Sequence, residues 1–343
     1  MSAPATVADP FATAGETLFG KPSPADVPFG HILGNKRYKM PLLPGEVGPK
    51  SVPKDAQPWV SGGMLRVTRL SAAISDSRAL GVWEMEQALV GLARDPALYE
   101  ELCMTVQRGD REGVNWQRLD QYTDYRKALT GTWDDRDGAL AGRAKMVAGA
   151  NQARQAGVNR HEAWEERAKT GELVGTPGIQ NQLLALELLL AGHGLERVPE
   201  LSERVVRTAE VDCAGRFDDI VRSTTPCPTC GRDLCIADLK NKSRKFWTMQ
   251  EVRAQLAVYA RAEHMLAVAP DGDAEYVSGP AYHVCRCWGW ILVMPADGAD
   301  PYLHRANLEA GWRTALLARQ VVDDRAQGRS VEAFREAEVK AGA

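Results

Sequence analysis

No run of about 18 apolar residues occurs anywhere in the 343-residue chain, so no membrane-spanning helix is expected. The first residues, MSAPATVADPFATAGETLFG, lack the basic start and apolar centre of a secretory signal, and a cytoplasmic location is expected. There is no Gly-x-x-x-x-Gly-Lys-Ser/Thr loop, so any ATP-driven motor would be a separate chain. No internal repeat is visible. Nor is basic charge in excess: 42 Lys and Arg face 45 Asp and Glu, a formal charge of -3 with a pI near 6.1. Contact with nucleic acid would therefore need local clusters of Lys and Arg. Cysteine is scarce and odd in number, at seven, which argues for thiols or metal ligands over a disulfide framework.

What is present is enough apolar residue, 44%, to build a large core. Ten of the nineteen prolines lie in residues 1–60, with little hydrophobic periodicity, so residues 1–62 read as an extended or partly disordered arm contributing little to a core. Residues 63–150 read as a helical elaboration. In it Leu80, Val82, Trp83, Met85 and Leu89 are spaced for a buried face, with Ser75 or Asp76 as a cap. The chemistry falls in residues 151–327, and 328–343 reads as a helical tail. Within 151–327 a long helix through "NRHEAWEE" and the helical "TPGIQNQLLALELLLAGHG" precede three expected strands, "ERVVRTAEVDC", "GRFDDIVRS" and "LCIADLKN". A helix "TMQEVRAQLAVYARAEHML", a strand "AYHVCRCWGWILVMP" and a helix "PYLHRANLEAGWRTALLARQVVDDRA" follow. The expected class is α/β, an αβββαβ core with a mixed sheet plus the N-terminal helices.

Strand alternation sets Asp238 and Lys240 on one face and Leu239 on the other. A surface ion pair on an edge strand would account for the two alone. The preceding segment, however, carries Asp218 and Asp219, adjacent carboxylates that repel each other and lose hydration when buried. A divalent cation is the simplest compensation. Asp218 and Asp238 on neighbouring strands could bind Mg2+ or Mn2+, hard ions that prefer oxygen. Lys240 could then orient or help deprotonate a water that attacks a phosphodiester.

These residues occur in a larger ordered set: Gly157, His161 and Glu165 in "AGVNRHEAWEE", Gly215 and Asp218, Asp238 and Lys240, then Gln255 and Tyr259 in "QLAVYA". The set resembles the motifs of the PD-(D/E)XK nuclease superfamily in its RecB-type exonuclease branch, over roughly residues 65–325. The resemblance implies a DNA nuclease, an exonuclease working in recombination, repair or processing. It implies His161, Asp218, Asp238 and the main-chain carbonyl of Leu239 as ligands of Mg2+ or Mn2+. Asp218, Asp238 and Lys240 would be the catalytic residues, Lys240 the catalytic lysine. Glu165, Gln255 and Tyr259 would support the site or touch DNA. The layout also looks like exonucleases of this type carried by bacteriophages, which would make the location a host cytoplasm. DNA is the expected partner, with a recombination or helicase protein beside it and no membrane. The competing expectation is a catalytically silent protein of the same fold that binds nucleic acid or serves as a phage structural or packaging partner.

Each residue also has a plainer reading. His161 could be a polar residue at a helix end, and Gln255 and Tyr259 at i and i+4 one packing face. Glu162 is expected to point away from the site, and Glu210 is either a supporting carboxylate or a solvated residue. Lys242, Arg244 and Lys245 form a basic cluster suited to phosphate or a solvated loop. Among the cysteines, "CPTCGRDLC" sets Cys227 and Cys230 in a C-x-x-C-Gly knuckle suited to structural zinc. On one face of a later strand, His283, Cys285 and Cys287 could complete the site, the alternative being a turn with reduced thiols. Some nucleases that the chain resembles hold an iron–sulfur cluster with one Cys ahead of the core and three near the C-terminus. This sequence departs from that pattern, since Cys103 lies upstream but no Cys follows Cys287 and the knuckle interrupts the core, so a cluster is not expected.

Overall fold

In a computed structural model, residues 29–33, 37–43, 46, 48, 57, 59–61, 63–74, 78–131, 138–241, 249–268, 274–278 and 283–327 are described. Strand β1 (Leu65–Arg66) leads into α1 (Val67–Ala72), then α2 (Arg78–Arg94), α3 (Pro96–Arg111) and α4 (Thr123–Thr130). Helix α3 begins where Asp95 accepts hydrogen bonds from the N–H groups of Ala97 and Leu98, with Pro96 in the first turn. Helices α5 (Leu140–Ala148) and α6 (Ala150–Thr170) are separated at Gly149, which sits at φ 100° and does not continue the spiral. Helix α7 (Pro177–Gly192) follows, capped by Thr176.

The strands then run β2 (Leu195–Arg197), β3 (Val205–Thr208), β4 (Cys213–Arg216), β5 (Asp219–Ser223) and β6 (Leu234–Lys240). Helix α8 (Met249–Ala260) precedes β7 (His264–Val268), β8 (Ala274–Ser278), β9 (Trp288–Val293), β10 (Tyr302–Asn307) and the closing α9 (Leu308–Gln327). The chain is thus an α/β protein with mixed sheets. One sheet has the order β1-β4-β3-β7-β8, with β1 parallel to β4; the other has β10-β9-β6-β5-β2, with β6 parallel to β9.

Several segments differ from the sequence expectation. "ERVVRTAEVDC" is a hairpin of β3 and β4 turning at 209–212, and "GRFDDIVRS" is shared between β4 and β5, which belong to different sheets. The helix expected through 264–266 stops at Ala260, and β7 pairs with both β3 and β8. Residues 302–307 are strand, since pairing with β9 wins over the helical pattern that begins only at Leu308.

Alternation along the second sheet makes a three-layer stack. Ile220, Ile236, Ile291 and Val293 face α8 and α9, while Val221, Ala237, Leu239 and Leu292 face α6 and α7 through Trp164, Leu183 and Leu186. The described part of the N-terminal arm is not a loose appendage. Phe29, Met40, Trp59 and Met64 are buried against Ala214, Leu266 and Ala274, and Lys39 lies between the Phe29 and Trp59 rings. Glu46 pairs with the buried Arg207, and Gln57 exchanges two hydrogen bonds with the Ala274 main chain. Scattered aromatics, not a periodic pattern, make these contacts, which is why proline content misled.

The buried face expected for α2 is also corrected. Val82, Trp83, Met85 and Leu89 are 39 to 60% exposed, because α2 packs on α5 through Gly91, where a β-carbon would collide with the Ala144 carbonyl. The positions of Ser75 and Asp76 and the 328–343 tail lie outside the described residues. No helix among the described residues is long and apolar enough to cross a membrane.

Candidate metal centre

The position of α6 is fixed first. Asp219 starts β5 with its carboxylate fully buried and accepts three donors: Trp164 Nε1 at 2.5 Å, Arg197 Nε at 2.8 Å and the Ser202 hydroxyl. Arg197 also donates to the Trp164 carbonyl at 2.6 Å and stacks over its ring. Burial pushes the Asp219 carboxyl upward, and the donors from Arg197, Ser202 and Trp164 oppose that shift. The network ties α6 to the sheet one turn beyond His161.

His161 then meets the carboxylates. Its Nδ1 lies 3.6 Å from Asp218 Oδ2, the same oxygen that accepts the Leu239 N–H at 2.8 Å. Burial, then the Lys240 charge, holds the imidazole below its ordinary pKa, against Asp238 and a hydrogen bond to the Leu239 main chain. A neutral ring is the form that ligates metal. Asp218 is pushed well above the ordinary carboxylate range by burial and by the negative charge of Asp238. Asp238 is buried beside Lys240, whose ammonium lies against Oδ2 without a properly directed hydrogen bond. Burial would pull the Lys240 pKa down, but Asp238 and Asp218 outweigh it and raise it. His161, Asp218, Asp238, Lys240 and the Leu239 main chain are thereby brought together.

The buried Asp238 carboxylate, the partly exposed Asp218 carboxylate, the His161 imidazole and the Leu239 carbonyl offer donors of the kind Mg2+ or Mn2+ takes, and Asp238 Oδ2 is buried without a directed hydrogen bond. The other candidates divide. Gln255 Nε2 donates to Ser71 Oγ at 3.0 Å, tying α8 to α1. Tyr259 is buried against Phe217, and burial, with Asp238, pushes its phenol well above the ordinary value. A β-carbon on Gly215 would sit 2.8 Å from Tyr259 Cε1, so the glycine exists to let that ring cross the strand. Gly157 has no such constraint; its carbonyl accepts Asn241 Nδ2 at 3.0 Å. Lys242, Arg244 and Lys245 lie outside the described residues, and Glu210 is exposed in the turn after β3.

His161 and Asp218 open onto a cleft of about 520 Å³. Glu165 lines it and pairs with Lys169 at 2.6 Å. Glu162, expected to point away, lines it too, with Oε1 buried. Sequence reasoning missed Glu203 and Arg216, which form an ion pair of 2.9 Å on the same cleft. Glu203 has φ 57°, rare for a residue with a side chain, and its carboxyl is pushed up to about 7, burial being the main cause. A polar triplet, Ser202-Glu203-Arg204, carries no motif that would single it out.

A second cluster lies apart. One ligand atom from each of Cys227, Cys230, Cys285 and Cys287 falls within 4.8 Å of the others, so four thiols are placed where they could bind a metal such as zinc. The knuckle is closed by Cys227 N–H to Arg232 O and Gly231 N–H to Cys227 O, and Cys285 is brought in by its N–H to Leu234 O. His283 is exposed and outside this set. It stands ahead of the Val284 bridge to Leu234, while Cys285 and Cys287 join Cys227 and Cys230 although the chain bends at 286–287, so strand alternation is not what selects the set.

No protein-family model matches this chain, and none of the curated proteins matches it.

Proposed function

We propose that this chain is a metal-dependent deoxyribonuclease of the PD-(D/E)XK type, RecB-like, that hydrolyses phosphodiester bonds from DNA ends. The observation that carries the reading is the convergence of His161, Asp218, Asp238 and the Leu239 main chain from three separate elements, with Lys240 beside them. A purely structural use of this cluster has no chemical need to hold a buried carboxylate, a second, largely covered one and a largely covered lysine against one another.

In this reading Asp218, Asp238, His161 and the Leu239 carbonyl hold Mg2+ or Mn2+. The ion supplies stabilisation of the charge that develops on the phosphate oxygens. Lys240, placed by Asp238, orients the attacking water and adds positive charge beside the phosphate. Asp219, through Trp164, keeps His161 at its station, and Tyr259 excludes water from behind the carboxylates.

Digestion of end-labelled linear and circular DNA with Mg2+ or Mn2+ tests this, comparing wild type with Lys240→Ala and Asp238→Ala. Loss of label from linear DNA by wild type alone, with circles intact, is the expected result. Wild-type protein that binds DNA but cuts neither form with either metal would transfer the assignment to a silent nucleic-acid-binding or packaging role. We infer further that Cys227, Cys230, Cys285 and Cys287 hold one structural zinc ion clamping the β5–β6 hairpin to the start of β9. Elemental analysis of purified protein should find zinc near one per chain, lost in Cys227→Ser/Cys230→Ser; iron in place of zinc, or no metal, would refute it.

A further inference from the structure

The cleft that His161 lines is walled in part by the N-terminal segment. Ile32 and Tyr38 are an antiparallel bridged pair, and Tyr38 exchanges backbone hydrogen bonds with Met64 at 2.9 and 2.8 Å. Met64 runs directly into β1, whose Arg66 also lines the cleft. Directly bridged residues project to one side of a ribbon, and both Ile32 and Tyr38 face the cleft. Ile32 is 43% exposed although apolar, and Val158 of α6, lining the same cleft, is 38% exposed. The cleft therefore has an acidic floor, an apolar and aromatic wall, and a rim carrying Arg66 and Arg216. Arg216 is half exposed and held by its 2.9 Å pair with Glu203.

A cleft of about 520 Å³ is of the size that holds a drug-sized body, such as one nucleotide. Its composition separates the parts of a nucleotide: an aromatic side chain offers a stacking face, and the rim arginines offer charge to phosphates. In a duplex the bases are paired and stacked inward, so such a wall reaches a base only after it leaves the helix. We propose that the Ile32–Tyr38 wall receives an unpaired base of the substrate, with flanking phosphates at Arg66 and Arg216, so that this nuclease engages single-stranded DNA or a frayed single-stranded end. The proposal deepens the nuclease reading and rests on it for the path of the backbone past Asp218.

The test measures binding, not cutting. In the full-length Lys240→Ala background, fluorescence anisotropy would compare a labelled single-stranded oligonucleotide with a blunt duplex of the same sequence. Ile32→Glu, at an exposed position, and Tyr38→Ala, whose main-chain bonds are retained, would be measured beside it. Stacking of one base is worth roughly a 5- to 150-fold change in affinity. Single strands should bind at least about fivefold more tightly than blunt duplex, and each wall variant should lose at least about fivefold on single strands with duplex binding unchanged. Equal affinity for the two DNAs, no response to either variant, or no binding at all overturns the proposal. If wild type cuts nothing while the wall variants behave as expected, the nuclease reading falls and the single-strand site stands.

Discussion

Gly215→Ala isolates the contact that joins two of the sequence motifs. The added methyl would lie 2.8 Å from Tyr259 Cε1, 2.9 Å from Val67 Cγ2 and 3.1 Å from the Tyr259 hydroxyl oxygen. Neither neighbour has room to swing aside, since Tyr259 is 3% and Val67 1% exposed. The φ of Gly215 is not positive, so the substitution carries no left-handed strain and its effect is overpacking alone. Overpacking of this kind costs about 1–3 kcal/mol. In a chain of this length that is a fall in Tm of about 1–4 °C, read by circular dichroism with urea titration to give the free energy. The cause is then assigned with Tyr259→Leu, which removes the ring. The double variant Gly215→Ala/Tyr259→Leu should be more stable than the sum of the singles predicts, by about 1 kcal/mol. A neutral Gly215→Ala, or strict additivity in the cycle, would refute the idea that this glycine makes way for the ring.

Other consequences are separable from that one. Asp219→Asn removes the charge that Arg197 faces and the acceptor that fixes Trp164; breaking such a buried pair costs about 3–5 kcal/mol, and metal affinity, read by calorimetry, should weaken as His161 loosens. Unchanged stability and metal affinity would contradict the anchoring role. Gln255→Leu should lower stability by about 0.5–1.5 kcal/mol by removing the donor to Ser71 Oγ, which keeps its own bond to the Thr68 carbonyl, yet leave DNA affinity unchanged; a selective loss of DNA binding would return Gln255 to the substrate. Glu203 gives a pH signature, because the folded chain holds its proton up to about pH 7 while the unfolded chain releases it near 4.5. Its favourable contribution is complete below pH 4.5 and is lost as pH rises to about 7, by at most about 3 kcal/mol before allowance for solvent at the carboxylate. Urea titrations in chelator over that range should show a flatter profile for Glu203→Gln than for wild type, and parallel profiles would refute the assignment.

The residues that strand alternation and helical spacing govern were legible. Asp238 and Lys240 share a face with Leu239 behind them, and His161 comes off α6 toward the carboxylates, because both depend on local geometry alone. What was not legible depends on distant pairing. Nothing in "GRFDDIVRS" says that it changes sheets midway, and nothing in "SER" at 202–204 announces a residue at φ 57°. Residues 302–307 became strand through β9, the N-terminal segment became a cleft wall through Met64, and α2 turned its large apolar residues outward because Gly91 fits Ala144. In each case the deciding partner lies outside the segment itself, from about ten to some fifty residues away, or on a face that the pattern of large side chains does not mark. His283 failed for a different reason: the four thiols close the set without it, and a period of two does not govern a segment that is strand only from Trp288.

The break between β4 and β5 explains why Glu203 and Asp218 are found together. Phe217 and Asp218 belong to neither strand, so their main-chain groups have no ladder to join. The 202–204 turn takes the place of the ladder: Phe217 N–H donates to the Arg204 carbonyl at 3.3 Å, and the Asp218 carbonyl accepts the Glu203 N–H at 3.1 Å. Closing that turn requires the left-handed backbone at Glu203, a strain of about 1–3 kcal/mol that the two hydrogen bonds and the full burial of Phe217 offset. The same closure aims Glu203 at Arg216 and leaves Asp218 free of the sheet register, so that its carboxylate can reach Leu239 and His161 at once. A ladder-paired aspartate would be confined to one face, as Asp219 is. The irregular backbone at 217–218 is therefore the condition for a carboxylate that meets both α6 and β6.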